Sequence, residues 1–107
     1  MNTNRLVAAV LLVAAAGMGL AAPAVAQTAE QIDQAFLTAL RERGVPVRDD
    51  AKALDLAHQT CALLESGGTT DAALQMIQKA QKKWSQDDVV NFGGLAVYAY
   101  CQQYLPN

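Results

Sequence analysis

The first 26 residues constrain the interpretation of this sequence more than any other part, because they have the three-part pattern of a secretory signal peptide. Arg5 supplies positive charge, an apolar run extends from Leu6 to Leu20, and Ala24-Val25-Ala26 has the A-x-A form of a cleavage site. We expect cleavage after Ala26 and secretion of residues 27–107, as one small domain, to the cell envelope or the medium. Without paired arginines, the general secretory route is favoured.

An uncleaved membrane anchor is the alternative interpretation of the same residues. A transmembrane helix needs about 20 predominantly apolar residues. The run here is shorter, contains Gly17 and Gly19, and is followed by Pro23 instead of a basic cluster. We therefore expect no stable membrane anchor after cleavage.

Export also determines how the two cysteines, Cys61 and Cys101, are interpreted. In an oxidising compartment a lone pair of cysteines most often forms one disulfide. We expect these two residues to be joined, with Cα atoms within about 7 Å of each other. Closing this loop contributes about 4 kcal/mol in the chain-entropy model, which matters to a domain with a limited core.

Residues that start and stop helices divide the mature chain into four segments. The first helix is predicted from the capping box Thr28–Gln31 to Gly44, and the second from Asp49-Asp50 to Gly67-Gly68. The third is predicted from Thr69-Thr70-Asp71 to Trp84, and the fourth, after a capping box at Ser85–Asp88, from Val89 to Leu105. These segments predict an all-α fold, a small four-helix bundle with one inter-helix disulfide.

Apolar side chains recur at helical spacing in each segment. The predicted inward positions are Ile32, Phe36 and Leu40, with Ala29, Ala35 and Ala39; then Leu54, Ala57, Cys61 and Leu64; then Ala73, Leu74, Ile77, Ala80 and Trp84; and Val89, Phe92, Leu95, Ala96, Val97, Tyr100, Cys101 and Tyr104. The fourth set covers nearly the whole circumference, so we expect the last helix at the centre of the bundle.

Gly93-Gly94 allows a second interpretation of the last segment. With Val89-Val90 before it and Val97-Tyr98 after it, the pair could form a hairpin turn between two strands. A helix is preferred because a cap precedes the segment and no other strand candidate exists. Two glycines inside a helix cost about 1 kcal/mol each. We expect close approach of another helix there, with Phe36 of the first helix as the candidate neighbour.

The charged residues are explained mainly by helix electrostatics. Outside residues 1–26 there are ten acidic and seven basic residues, a net charge that argues against nucleic acid or an anionic membrane as partner. No metal site is predicted. Most carboxylates lie near predicted helix starts, where they complement the helix dipole: Glu30, Asp33, Asp49, Asp50, Asp71, Asp87 and Asp88. Lys79, Lys82 and Lys83 are expected to form a solvated helix face.

Three residues are candidates for binding a ligand or a partner: His58, Trp84 and Tyr98. The only histidine, His58, has no evident catalytic neighbour, so a structural position on the second helix is preferred, with haem ligation as the alternative. A void beside Trp84 and Phe36 would favour a carrier. Tyr98 falls off the apolar stripe, and we expect it to be exposed and available for contacts.

The spacing of these residues resembles a known family. The motifs are Asp33-x-x-Phe36-Leu37-x-x-Leu40 ending in Gly44, Ala57-x-x-x-Cys61-x-Leu63-x-x-x-Gly67, and Phe92-x-x-x-Ala96-x-x-x-Tyr100-Cys101. They are similar to the small secreted helical proteins of mycobacteria and relatives classed as domain of unknown function 732 (DUF732). The resemblance implies an exported all-α domain with a Cys61–Cys101 bridge and carries over no catalytic residue. Family members often have a proline soon after the Tyr-Cys pair. In this sequence the first proline after the pair is Pro106, which predicts a last helix one turn longer than in those members.

Three function classes follow from these observations. The preferred prediction is a non-catalytic module that binds another exported or envelope macromolecule and needs no cofactor. A carrier of a small apolar ligand, haem or lipid, is the alternative, because helical bundles can open pockets between helices. An enzyme is disfavoured because the cysteines lack Cys-x-x-Cys spacing and no nucleophile adjoins His58.

Overall fold

Four α-helices form the part of the chain that the computed structural model describes, residues 27–105. They are α1 (Ala29–Glu42), α2 (Asp50–Glu65), α3 (Thr70–Ala80) and α4 (Gln86–Tyr100), followed by a single 3₁₀ turn over Gln102–Tyr104. The predicted all-α bundle is confirmed, and the hairpin alternative at Gly93-Gly94 is wrong. Among these helices none is long and apolar enough to cross a membrane. The predicted signal peptide and its cleavage site lie outside the described residues.

Side-chain caps begin all four helices at the predicted residues. Thr28 and Gln31 form a reciprocal capping box at α1, with backbone-to-side-chain bonds of 3.0 and 3.1 Å. Ser85 and Asp88 form the second box at α4, with both bonds 3.1 Å long. Asp49 and Thr69 cap α2 and α3 through single side-chain oxygens. Each cap satisfies a backbone N–H that has no partner inside the helix.

Two helices end earlier than predicted. The third helix ends at Ala80, since Gln81 takes a non-helical conformation (φ −127°, ψ 76°). The fourth helix ends at Tyr100 instead of Leu105, since Cys101 takes a non-helical conformation (φ −153°, ψ 60°). The predicted extra turn of the last helix is thus replaced by the 3₁₀ turn, and Tyr104 is exposed where a core position was predicted.

The helix α4 lies at the centre of the bundle and packs against α1, α2 and α3, as predicted. Phe92 is fully buried, and the rings of Phe36 and Trp84 lie against it with centroids 5.5 and 5.2 Å away. The largest aliphatic side chains with almost no exposure surround this aromatic group: Leu37, Leu40, Ile77 and Val89. The hydrophobic core is therefore built on the inner side of α4.

Some predicted inward positions are displaced by about one residue. On α1, Leu37 is buried while Ala35 is exposed. On α2, the buried residues include Ala53, Leu56 and Thr60, while the predicted Leu54 and Leu64 are only half-buried. Ala80 at the end of α3 is exposed as well. A helix that contacts two neighbours buries an arc wider than one apolar stripe, so the stripe alone does not identify all of its buried positions.

The two adjacent glycines of α4 have different surroundings. A Cβ atom on Gly93 would lie 3.0 Å from Leu74 Cδ2 and 3.4 Å from Ile77 Cδ1, so this glycine permits close approach of α3. The predicted close approach exists, but the neighbour is α3 and the expectation of Phe36 in α1 was wrong. A Cβ atom on Gly94 would meet nothing within 4 Å.

One disulfide joins α2 to the end of α4. The Cα atoms of Cys61 and Cys101 are 5.9 Å apart, and both side chains are buried. Val97 and half-buried Leu64 and Tyr100 pack around the bond. The predicted pairing and the predicted limit on the Cα separation are both met.

Candidate interaction surface

The three candidate residues of the sequence lie at different places in the bundle. His58 is exposed on α2, where its ring lies against Tyr100 with centroids 4.5 Å apart. Trp84 is buried in the turn between α3 and α4. Tyr98 is exposed on α4, as predicted. Trp84 and Tyr98 line separate hollows, so the candidates do not form one site.

The neighbours of His58 give it a packing role. Its partner Tyr100 also contacts the ring of Phe36, at 5.5 Å between centroids, and donates its hydroxyl hydrogen to Asp33 Oδ1. Burial and this bond to a carboxylate, together with the carboxylate's negative charge, raise the pKa of Tyr100 above its ordinary range.

Across residues 27–105, no group of three or more histidines, cysteines and carboxylates could hold a metal ion.

The indole of Trp84 is held from two directions. Its Nε1 donates a hydrogen bond to the Pro46 carbonyl oxygen (3.2 Å), and its ring packs on Phe92. Gln78 Nε2 donates to the carbonyl oxygens of Gln81 and Trp84, at 3.2 and 3.0 Å, which fixes the turn. Trp84 and Phe36 both contact Phe92. Each also lines hollows of its own: those beside Trp84 measure about 250 and 340 Å³, and one beside Phe36 measures about 310 Å³.

Exposed large apolar side chains are concentrated on one side of α4 and in the turn after it. Within the described residues they are Val90 (48 % exposed), Tyr98 (61 %), Tyr104 (38 %) and Leu105 (37 %). Val90, Gly94 and Tyr98 follow one another at four-residue spacing and therefore lie on one helix face. We call the surface formed by Val90, Gly94, Tyr98, Tyr104 and Leu105 the α4 outer face.

Two shallow hollows flank the α4 outer face, and Val90 and Gly94 line both of them. One, of about 210 Å³, lies towards α2 and α3 and includes Leu64, Leu74 and Tyr104. The other, of about 390 Å³, includes Arg43, Leu95, Tyr98 and Leu105. Arg43 is positioned there by a hydrogen bond from its Nη1 to Asn91 Oδ1 (3.2 Å). The α4 outer face and the two hollows beside it form a continuous, mostly apolar surface.

Only part of the α4 outer face is predictable from the sequence. The helical phase predicts an exposed Tyr98, which falls off the apolar stripe, but it places Tyr104 in the core and predicts no role for Val90. The absence of any charged residue after Asp88 was the signal that could have identified the remainder. A 19-residue segment without charge cannot be wholly buried in so small a domain.

Comparison with known proteins gives a family and no activity. The family model described as "Protein of unknown function (DUF732)" matches residues 32–103. The matched segment includes most of α1, the other three helices and both cysteines. No curated protein and no solved structure matches the chain.

Proposed function

The chain belongs to the DUF732 family of proteins of unknown function, and from that premise we propose that it is an exported, non-catalytic domain that binds another protein through the α4 outer face. The observation that carries this proposal is the concentration of exposed large apolar side chains on that face. Singly scattered apolar residues are normal on a protein surface, but a contiguous group of them is typical of an interaction site.

Gly94 supports a helix as the binding element. A glycine inside a helix costs about 1 kcal/mol relative to alanine. Packing of α3 against the neighbouring Gly93 explains the glycine at that position. A Cβ atom on Gly94 would meet nothing within 4 Å, so no contact within the domain explains the second glycine. A partner helix that crosses α4 at Gly94 would approach closely and would seat its side chains in the two flanking hollows.

Charge distribution argues for a different protein as partner and against a second copy. Arg43 lies beside the N-terminal half of the α4 outer face, next to Asn91. In an antiparallel pairing of two copies, each Arg43 would meet the C-terminal half of the other α4, and no charged residue follows Asp88 in the sequence. In a parallel pairing, the two Arg43 side chains would approach each other. We infer that the partner is an apolar helix with one acidic residue opposite Arg43.

The contacts of the cysteines and of three carboxylates support the non-catalytic part of the proposal. The described cysteines are joined in the disulfide, and there is no free thiol among residues 27–105. Asp33, Asp49 and Asp88 accept hydrogen bonds that hold helices together or cap them. Export is supported by the pattern of residues 1–26 and by a disulfide that persists in an oxidising compartment.

The more apolar of the two hollows that flank the α4 outer face is smaller than a usual ligand site. The hollow between α2, α3 and α4 measures about 210 Å³. Sites that enclose a small organic ligand usually measure about 300–1,000 Å³. A ligand the size of haem or a lipid would remain mostly exposed there, whereas partner side chains need only shallow hollows.

Site-specific photo-crosslinking in the host that secretes the protein tests the proposal. A photo-reactive amino acid at Val90 or Tyr98 is expected to trap one and the same protein, while the exposed position Gln75 on α3 serves as the control. Gly94→Leu is expected to abolish trapping without unfolding the domain, and Arg43→Glu to reduce it.

Three results would contradict this proposal. Equal trapping from Gln75 would mean that the contacts are not specific to the α4 outer face. A trapped species of twice the protein's own mass would identify a second copy as the occupant. Trapping that persists in a folded Gly94→Leu variant would exclude a helix crossing at Gly94.

A further inference from the structure

Two adjoining grooves near Trp84 share the side chains of Arg48, Gln81 and Trp84. The first measures about 250 Å³ and adds Lys52. The second measures about 340 Å³ and adds Lys82 and Lys83. Four basic side chains, those of Arg48, Lys52, Lys82 and Lys83, therefore surround one small region, which we call the basic grooves.

The basic grooves bring together distant parts of the chain. Arg48 belongs to the connection between α1 and α2, Lys52 to the first turn of α2, and the two other lysines to the turn between α3 and α4. The bond from Trp84 Nε1 to the Pro46 carbonyl oxygen joins the first of these segments to the last. The buried side of the region is thus fixed by the bundle, while the four cationic side chains are exposed.

These four cations have no acidic partner within residues 27–105, where the one salt bridge joins Arg41 and Asp50. Asp49 is the single carboxylate in the lining, and its Oδ1 already accepts the backbone N–H of Lys52 (3.1 Å) as the cap of α2. The basic grooves therefore hold four of the seven basic residues outside the signal sequence, in a chain with more acidic than basic residues. Like charges that line adjoining grooves repel one another, and an anion bound among them would relieve that repulsion.

We propose that the basic grooves bind the phosphate group of a small soluble molecule. An arginine guanidinium can bind phosphate with two parallel hydrogen bonds, and lysines add point charges around it. The groove volumes are sufficient for a compact anion. The net negative charge of the chain opposes contact with an extended polyanion or an anionic membrane. This site is separate from the α4 outer face, and the proposal does not depend on the proposed function.

Trp84 provides the measurement, because it lines both grooves and is the single tryptophan of the chain. Its fluorescence is followed while the full mature protein is titrated with inorganic phosphate, and with sodium chloride at matched ionic strength. We expect a saturable change with phosphate and none with chloride. Glucose 6-phosphate, with glucose as control, tests an organic phosphate as the source. Vesicles containing phosphatidylglycerol test a lipid phosphate, and a stronger response to them than to the soluble phosphates would overturn the proposal.

Charge-matched variants test the location of the site. Arg48→Gln is expected to weaken phosphate binding by at least about tenfold, because it removes the guanidinium that can donate two parallel hydrogen bonds to the phosphate. Lys79→Gln removes the same charge from the last turn of α3, outside both grooves, and is expected to bind phosphate as the unmodified protein does. If Arg48→Gln fails to fold, Lys83→Gln in the exposed turn replaces it.

Two outcomes would overturn the proposal. A fluorescence response that is the same for phosphate and chloride would show general screening of charge. Equal weakening by Lys79→Gln and Arg48→Gln would show that net charge, and no particular site, attracts the anion. Tyr98→Ala is expected to leave phosphate binding unchanged, so the failure of this proposal and the failure of the protein-binding proposal can be told apart.

Discussion

The hydroxyl of Tyr100, the last residue of α4, donates a hydrogen bond to Oδ1 of Asp33 in α1. The next residue, Cys101, is bonded to Cys61 of α2. Two consecutive residues therefore attach the end of the central helix to both of its long neighbours. This arrangement gives the Tyr-Cys pair a structural role: one residue holds α1 and the other holds α2.

Replacing Tyr100 with phenylalanine removes the hydrogen bond and keeps the ring contacts. We expect Tyr100→Phe to lower the free energy of unfolding by about 1 kcal/mol, a typical net value for one hydrogen bond at a half-exposed position. Tyr104→Phe is the matched control, because Tyr104 lies in the exposed 3₁₀ turn. Urea unfolding followed by circular dichroism measures both changes, and equal effects of the two variants would contradict the assigned role of the Asp33 bond.

The raised pKa of Tyr100 predicts a loss of stability in alkaline solution. In the unfolded chain this tyrosine deprotonates near its ordinary pKa of about 10, whereas burial and the bond to Asp33 keep it protonated in the folded domain. The contribution is complete below pH about 10 and is lost progressively as the pH rises above that value. The stability difference between the unmodified protein and Tyr100→Phe should therefore shrink above pH about 10. A difference that stays constant through this range would contradict the prediction.

The two glycines of α4 form a matched pair for mutation. Gly94→Ala is expected to raise the free energy of unfolding by about 1 kcal/mol, because alanine favours the helix and its methyl group meets open space. Gly93→Ala should bring no such gain, since its Cβ would lie 3.0 Å from Leu74 Cδ2. Denaturant titrations of the two variants provide the comparison. An equal gain from both would mean that α3 does not pack closely against Gly93.

The disulfide is expected to supply a large part of the stability. It joins residues 40 positions apart, and the chain-entropy model gives about 4 kcal/mol for a loop of that size. Reduction with dithiothreitol should lower the melting temperature markedly, because a whole domain is commonly stable by only about 5–15 kcal/mol. The double variant Cys61→Ser/Cys101→Ser is the control and should melt at the same temperature with and without the reductant. A negligible change on reduction of the unmodified protein would refute the estimate.

The export hypothesis predicts the N-terminus of the secreted protein. Cleavage after Ala26 would leave a mature chain that begins at Gln27, just ahead of the Thr28 cap of α1. Intact-mass measurement of protein recovered from the medium and the cell envelope checks this expectation. A membrane-bound species that retains residues 1–26 would instead establish the anchor interpretation.

Local signals in the sequence were sufficient to predict where each helix begins. The capping side chains act over three or four residues, so Thr28, Asp49, Thr69 and Ser85 could be identified without knowledge of the fold. The ends of α3 and α4 depend on other elements. The turn after α3 is held by the hydrogen bond from Trp84 Nε1 to the Pro46 carbonyl oxygen, and Cys101 leaves the helical conformation where it is bonded to α2.

Surface sites were harder to predict because they also depend on contacts between elements that are distant in the sequence. The exposure of Tyr98 followed from the helical phase of α4 alone. The basic grooves could not be predicted in this way, because only the packing of the bundle brings Arg48 and Lys52 to the same region as Lys82 and Lys83. The predicted lysine face does not exist in the expected form, since α3 ends at Ala80 and only Lys79 of the three lysines belongs to it.

The covalent loop closed by Cys61 and Cys101 encloses α3, α4 and the end of α2, and it leaves α1 outside. A local opening that detaches α1 therefore breaks no crosslink, whereas separation of α2 from α4 is opposed by a covalent bond. Amide hydrogens in the middle of α1 should exchange with solvent sooner than those in the middle of α4. The domain is thus expected to open in stages, with the first helix leaving a crosslinked remainder that still carries the α4 outer face.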